Sequence, residues 1–212
     1  AMSREEAAKA VMTGILLVEE LKQVGFRLLA TGEMGIGNTT TSSAIVSVLL
    51  GKDPAEVTGR GAGLTSEGLE RKIQAIRTAI AVNQPDSADS LDVLHKVGGL
   101  DIAGLAGVFL GGAIHRVPVL VDGFISSAAA LVAAAICPAA KDYMLASHAS
   151  NEPAGRMVLE TLGLTPFLHA GMCLGEGTGA VAVMPLLDMG AAVYREMCTF
   201  AATDIEAYEH LT

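Results

Sequence analysis

Two glutamates stand beside glycines directly after short apolar runs. Phe26 to Ala30 leads into Gly32-Glu33-Met34-Gly35, and Phe167 to Ala170, extending toward Cys173, leads into Leu174-Gly175-Glu176-Gly177-Thr178-Gly179. Paired carboxylates at one cleft are the usual material for acid/base work, or for holding a cation or a protonated ring. Partial burial would raise the pKa of Glu176 and suit it to take a proton; an exposed loop carboxylate is the plain alternative for both residues. A Mg²⁺ site from Glu33, Asp122 and Glu176 is conceivable, but no spacing demands it.

A different chemistry belongs to Gly35-Ile36-Gly37-Asn38-Thr39-Thr40. Glycines followed by hydroxyls at the opening of an amphipathic run describe a helix N-terminus, where unpaired N–H groups and the aligned peptide dipoles attract an anion such as phosphate. Asn38 or Thr39 is the expected N-cap. Lys72 and Arg60, the latter in Gly59-Arg60-Gly61-Ala62-Gly63, are candidate phosphate ligands. The third glycine of a dinucleotide fingerprint is missing, and so is the lysine of a P-loop. A glycine-rich turn with a well-capped helix is the alternative reading. His148 and Ser150 could suggest a triad, but no G-x-S-x-G elbow is present, and His148 reads as a structural hydrogen-bonder. His95, His115 and His210 are read as structural, and Cys173 as a small buried residue.

The elements that must position these groups alternate. Ser3 to Val24 is an expected helix, with Ser3 and Glu6 spaced as a capping box and Gly25 as its stop. Four strand-loop-helix units follow, with strands at Phe26–Ala30, Val117–Val121, Tyr143–Ala146 and Phe167–Ala170. Lys52 to Thr65 is read as a loop, and Asp101 as the cap of a small-residue helix through Ile114. Strands alternating with helices imply an α/β fold, Rossmann-like and doubly wound, with a parallel sheet and helices on both faces. Ligands in such sheets sit beyond the carboxyl ends of the strands. Glu33, Asp122, Ser147, His148, Ser150 and Glu176 all fall there. Residues 1–212 are expected to form one domain, with the terminal helices 3–24 and 180–212 as candidates for a small subdomain.

The bulk numbers narrow the partners. With 212 residues, 51% of them hydrophobic, the chain can bury one substantial core. A net charge of −9 and the lack of any basic run argue against nucleic acid or an anionic membrane. No apolar stretch reads as a transmembrane span, and no signal peptide is evident. Three widely spaced cysteines give neither a disulfide framework nor zinc spacing, which points to a reducing, cytoplasmic compartment.

Five motifs in order complete the reading: Gly32-Glu33-Met34-Gly35-Ile36-Gly37-Asn38-Thr39-Thr40, Thr58-Gly59-Arg60-Gly61-Ala62-Gly63, Val121-Asp122-Gly123-Phe124, Ser147-His148-Ala149-Ser150 and Leu174-Gly175-Glu176-Gly177-Thr178-Gly179-Ala180. Together they resemble the nicotinate-nucleotide–dimethylbenzimidazole phosphoribosyltransferases of cobalamin lower-ligand synthesis, over nearly the whole chain. The resemblance implies transfer of the phosphoribosyl group of nicotinate mononucleotide to 5,6-dimethylbenzimidazole, with no cofactor and no metal. It implies Glu176 as general base and Glu33 as a second important acid. It places Gly35, Gly37, Asn38, Thr39, Thr40, Lys72, Asp122, Gly123, Ser150 and Leu174 at the nucleotide and substrate contacts, and it implies a homodimer. Members of that family are longer, and the part absent here would precede Ser3. Two rivals remain at this point: a Rossmann-type oxidoreductase, and a non-catalytic nucleotide-binding domain.

Overall fold

A computed structural model describes residues 1–203 and 206. His210 and the rest of the C-terminal tail lie outside the described residues. Helix α1 (Arg4–Val24) begins with the expected capping box: the Ser3 hydroxyl accepts from the Glu6 amide at 3.2 Å, and the Glu6 carboxylate accepts from the Ser3 amide at 2.7 Å. Gly25, at φ 111°, ends it in the left-handed region. Helix α1 lies against α6 (Leu100–His115) at backbone distance. A Cβ on Gly14 would stand 2.1 Å from the Gly104 carbonyl oxygen, and one on Gly107 would stand 2.0 Å from that of Val11. Only residues without side chains permit this approach.

Three short strands, β1 (Leu29–Ala30), β2 (Val119–Val121) and β3 (Met144–Ala146), pair in parallel in the order β1-β2-β3. Side chains alternate across a strand. Val119 and Val121 therefore face the main core, with Ile45, Leu94, Ile102 and Phe109, while Leu120 faces a smaller cluster with Ala180 and Val183. Helices cover both faces, as an α/β fold requires. Helices α2 (Asn38–Leu50), α7 (Phe124–Ile136) and α9 (Thr178–Glu196) all open just beyond the carboxyl ends of strands or strand-like segments.

Several expectations need correction. The fourth strand is reduced to one parallel bridge, His148 to Leu168. Pro166 has no N–H to offer, Phe167 and Leu168 bond to the β3 side, and past left-handed Gly171 the Met172 carbonyl accepts from the Asn151 amide outside any ladder. Within the 52–65 segment, Pro54–Val57 forms a one-turn helix, α3, because Asp53 and Glu56 make a capping box. The cap of α6 is Gly99; Asp101 lies inside the first turn, where its charge suits the helix dipole. Helix α2 is preceded by left-handed Gly37, so Asn38 is its first residue rather than its cap, and no side chain caps it. The remaining helices are α4 (Ser66–Asn83), α5 (Ser90–Val97) and α8 (Gly155–Leu162). Among the described residues, no helix is long and apolar enough to cross a membrane.

Candidate active site

The carboxyl edge of the sheet opens into a cleft of about 920 Å³. Glu33, Gly35, Gly37, Asn38, Thr39, Thr40, Lys72, Asp122, Gly123, Ser150, Leu174 and Glu176 all line it. Residues more than 140 positions apart in sequence thus share one wall because strand ends deliver them to one edge.

One end of the cleft is basic. The N-terminus of α2 carries no side-chain cap and lines the cleft, with the Glu33 carboxylate bonded to the side chain of its first residue, Asn38. Beside it Lys72, buried on α4, donates to the Thr39 hydroxyl at 2.9 Å and to the Gly59 carbonyl at 3.0 Å. Burial pushes its ammonium pKa down, opposed by the charge of Glu152. Among the described residues no carboxylate lies within ion-pair distance of Lys72. Its charge is therefore free to meet an anion, and two neutral acceptors fix its direction. Arg60 lines the same end but spends its guanidinium on its own loop, donating to Leu64 O at 2.7 Å and to Ser66 Oγ at 3.1 Å.

The cleft wall is also acidic and partly apolar. Glu33 accepts from the Asn38 side-chain amide, and partial burial followed by the charge of Asp101 pushes its carboxyl pKa up. Met34, Ile36 and Leu174 line the cleft with exposed side chains. Glu176 is exposed, the second of the two readings open for it in the sequence. Its backbone is nonetheless tightly held. Gly175, Glu176 and Gly177 are consecutive left-handed residues, at φ 75°, 57° and 84°. For a residue with a Cβ that region costs about 1–2 kcal/mol, and it persists only where neighbours over-determine it. Gly32 does so from one side: a Cβ there would stand 2.4 Å from the Gly177 nitrogen and 2.7 Å from the Glu176 carbonyl carbon.

Asp122 does so from the other side. This buried carboxylate accepts from the Gly177 amide through Oδ2 at 2.9 Å and from the Ala180 amide through Oδ1 at 3.0 Å. Both oxygens are thus engaged at the start of α9. Beneath them His148 is buried, with Nδ1 3.0 Å from Ser147 Oγ. The Ser147 hydroxyl donates to the Val121 carbonyl at 2.7 Å, so the ring holds its proton on Nδ1 and leaves Nε2 without a protein partner among the described residues. Burial pushes the His148 pKa down, against the opposing charge of Asp122. Ser147 is fully buried and committed to the backbone, so this pair offers no nucleophile.

Glu152 is the residue that sequence reasoning passed over. It lines the cleft, and its Oε2 is buried beside Gly59 without a hydrogen-bond partner among the described residues. No local spacing joins it to Lys72; the fold alone brings them together. Cys173 also lines the cleft and, like Cys137 and Cys198, is exposed and free, not buried as expected. His95 meets Asp92 at 3.1 Å and the Met2 carbonyl at 3.3 Å, a structural role.

Comparison with known proteins fits this geometry. A family model described as Phosphoribosyltransferase matches residues 1–205. The chain is 52% identical over 211 residues to the nicotinate-nucleotide–dimethylbenzimidazole phosphoribosyltransferase of Ruminiclostridium cellulolyticum, covering 100% of this chain and 60% of that protein. It is 56% identical over 200 residues to the protein of the same name from Desulforudis audaxviator, covering 94% of this chain and 57% of that protein. Among solved structures it resembles CobT from Thermus thermophilus, with a TM-score of 0.91 at 42% identity, over 97% of this chain and 61% of that one. The chain spans about 60% of the length of the curated relatives it matches.

Proposed function

This chain belongs to the phosphoribosyltransferase family, and on that premise we propose that it moves the phosphoribosyl group of nicotinate mononucleotide onto 5,6-dimethylbenzimidazole, yielding α-ribazole 5′-phosphate and nicotinate. The observation that supports this most is the polarity of the cleft. Lys72 and the uncapped N-terminus of α2 offer partners to an anionic ligand, while Glu33, Glu176 and exposed apolar side chains of the same cleft offer a wall for flat rings. A nucleotide phosphate and two heteroaromatic bases divide in the same way.

In this reading the bond from the anomeric carbon to the nicotinate nitrogen breaks, and one to a benzimidazole nitrogen forms. The leaving pyridinium is already cationic, so departure neutralises it, and the chemistry asks for no electrophilic metal. The incoming azole must lose the proton on its other nitrogen, and Glu176 takes it. Glu33, anchored by Asn38, holds the ring side of the cleft. We also propose a cytoplasmic homodimer as the working form, a reading that rests on the family resemblance alone.

Incubation with nicotinate mononucleotide and dimethylbenzimidazole, followed by mass spectrometry, tests the proposal. α-Ribazole phosphate is the expected product. Nucleotide binding without product would favour a non-catalytic domain, and oxidation coupled to a nicotinamide dinucleotide would favour an oxidoreductase.

A further inference from the structure

We propose that Asp122 is a positioning residue: it holds the turn that carries Glu176, and its carboxylate does not contact the nucleotide. This rests on the reading of Glu176 as the base. Asp122 lines the cleft, yet it is only 1% exposed, and each of its oxygens already accepts a backbone N–H. The two amides belong to the residue preceding α9 and to its third residue. In a capping box those two groups are satisfied by two side chains of the helix itself. Here Gly177 has no side chain to offer, and one carboxylate from the end of β2 serves both.

The consequence lies one residue upstream. Fixing the Gly177 amide fixes the peptide that joins it to Glu176, and Glu176 is the non-glycine member of a left-handed trio. With Gly32 packed on the same peptide from the β1 side, the turn is clamped between two strand ends. A negative charge at the start of α9 also makes that N-terminus unattractive to a phosphate. Helices α2 and α7, which no side chain caps, are left as the N-termini open to an anion in the cleft.

The test is Asp122→Asn, which keeps the shape but turns an N–H₂ toward one of two donors. Amide exchange in the 212-residue chain is read first. Exchange at Gly177 and Ala180 should quicken by about tenfold or more, as loss of one charge-assisted hydrogen bond implies, while α6 stays protected. Unchanged exchange overturns the proposal. The second reading is a double-mutant cycle with Glu176→Gln, in kcat and, independently of turnover, in the affinity for dimethylbenzimidazole. Asp122→Asn alone should lower kcat and leave KM for nicotinate mononucleotide unchanged, and it should add nothing once Glu176 is Gln. A raised nucleotide KM, or losses that simply multiply, overturns the positioning role. If Asp122→Asn does not fold, Gly32→Ala loads the same turn and must show the same split and the same non-additivity. If Glu176→Gln alone changes neither quantity, the base assignment itself has failed and this proposal falls with it; the other failures leave that assignment standing.

Discussion

Gly32→Ala is the sharpest small perturbation the structure offers. Gly32 is not left-handed, so alanine meets no backbone strain there, and the effect is purely steric. The new Cβ would stand 2.4 Å from the Gly177 nitrogen, against 3.4 Å for ordinary contact, so the facing turn must retreat by about 1 Å. The obstructing atoms are backbone and cannot rotate aside. Overpacking of this kind costs about 1–3 kcal/mol, and at this chain length each kcal/mol lowers the melting temperature by about 2–4 °C. The retreating turn carries Glu176, and misplacing a reacting group by about 1 Å costs on the order of 100-fold in rate. Gly104→Ala is the control: its Cβ meets nothing within 4 Å, and α6 should gain up to about 1 kcal/mol from the better helix former. Calorimetric melting of the three proteins, with turnover of each, is the assay. If Gly32→Ala melts within about 1 °C of the parent and keeps its rate, the clamped turn is not the device described here.

Lys72→Met should weaken nicotinate mononucleotide binding by about 10–100-fold, the worth of one charge-assisted contact, with little change in the fold; calorimetry showing equal affinity would remove Lys72 from the phosphate end. The depressed pKa of His148 fixes a sign for pH dependence. The folded state prefers neutral imidazole, so the contribution is complete above the unfolded value of about 6.5 and is lost as pH falls below it. Urea unfolding at about pH 7.5 and about pH 5.5 should show the parent losing more stability than His148→Gln; an equal loss contradicts the buried neutral ring. Because Cys137, Cys173 and Cys198 are all exposed, a thiol reagent should titrate all three in the native protein, and a shortfall would place at least one in the core.

Local rules made much of this architecture legible. Ser3, Glu6 and Gly25 mark both ends of α1 by contacts three or four residues long. Glu33, Asp122, Ser150 and Glu176 did converge on one cleft, because parallel strands bring their carboxyl ends to the same edge, while Ser147 and His148 are buried and do not line it. What could not be read were contacts made only by folding. Asp122 looked like a ligand-facing acid, yet its partners lie 55 and 58 residues away. Glu152 acts on Lys72 through its charge, from beside Gly59, with no spacing to announce it. Cys173 followed an apolar run that promised burial, but strand pairing is reduced to one bridge at Leu168, and Cys173 lies exposed beyond it. The absent cap on α2 was hidden by two good capping residues, Asn38 and Thr39, which left-handed Gly37 displaces into the helix.

Steady-state turnover of Glu176→Gln tests the central claim most directly. Glutamine keeps the shape and the hydrogen bonding of Glu176 but cannot accept the azole proton. With nicotinate mononucleotide and dimethylbenzimidazole as substrates, kcat should fall by about 10²–10⁴-fold, the usual worth of general-base assistance, while nucleotide affinity stays near the parent's. A kcat within about threefold of the parent, less than ~1 kcal/mol of barrier, would contradict the assignment and move the base to Glu33.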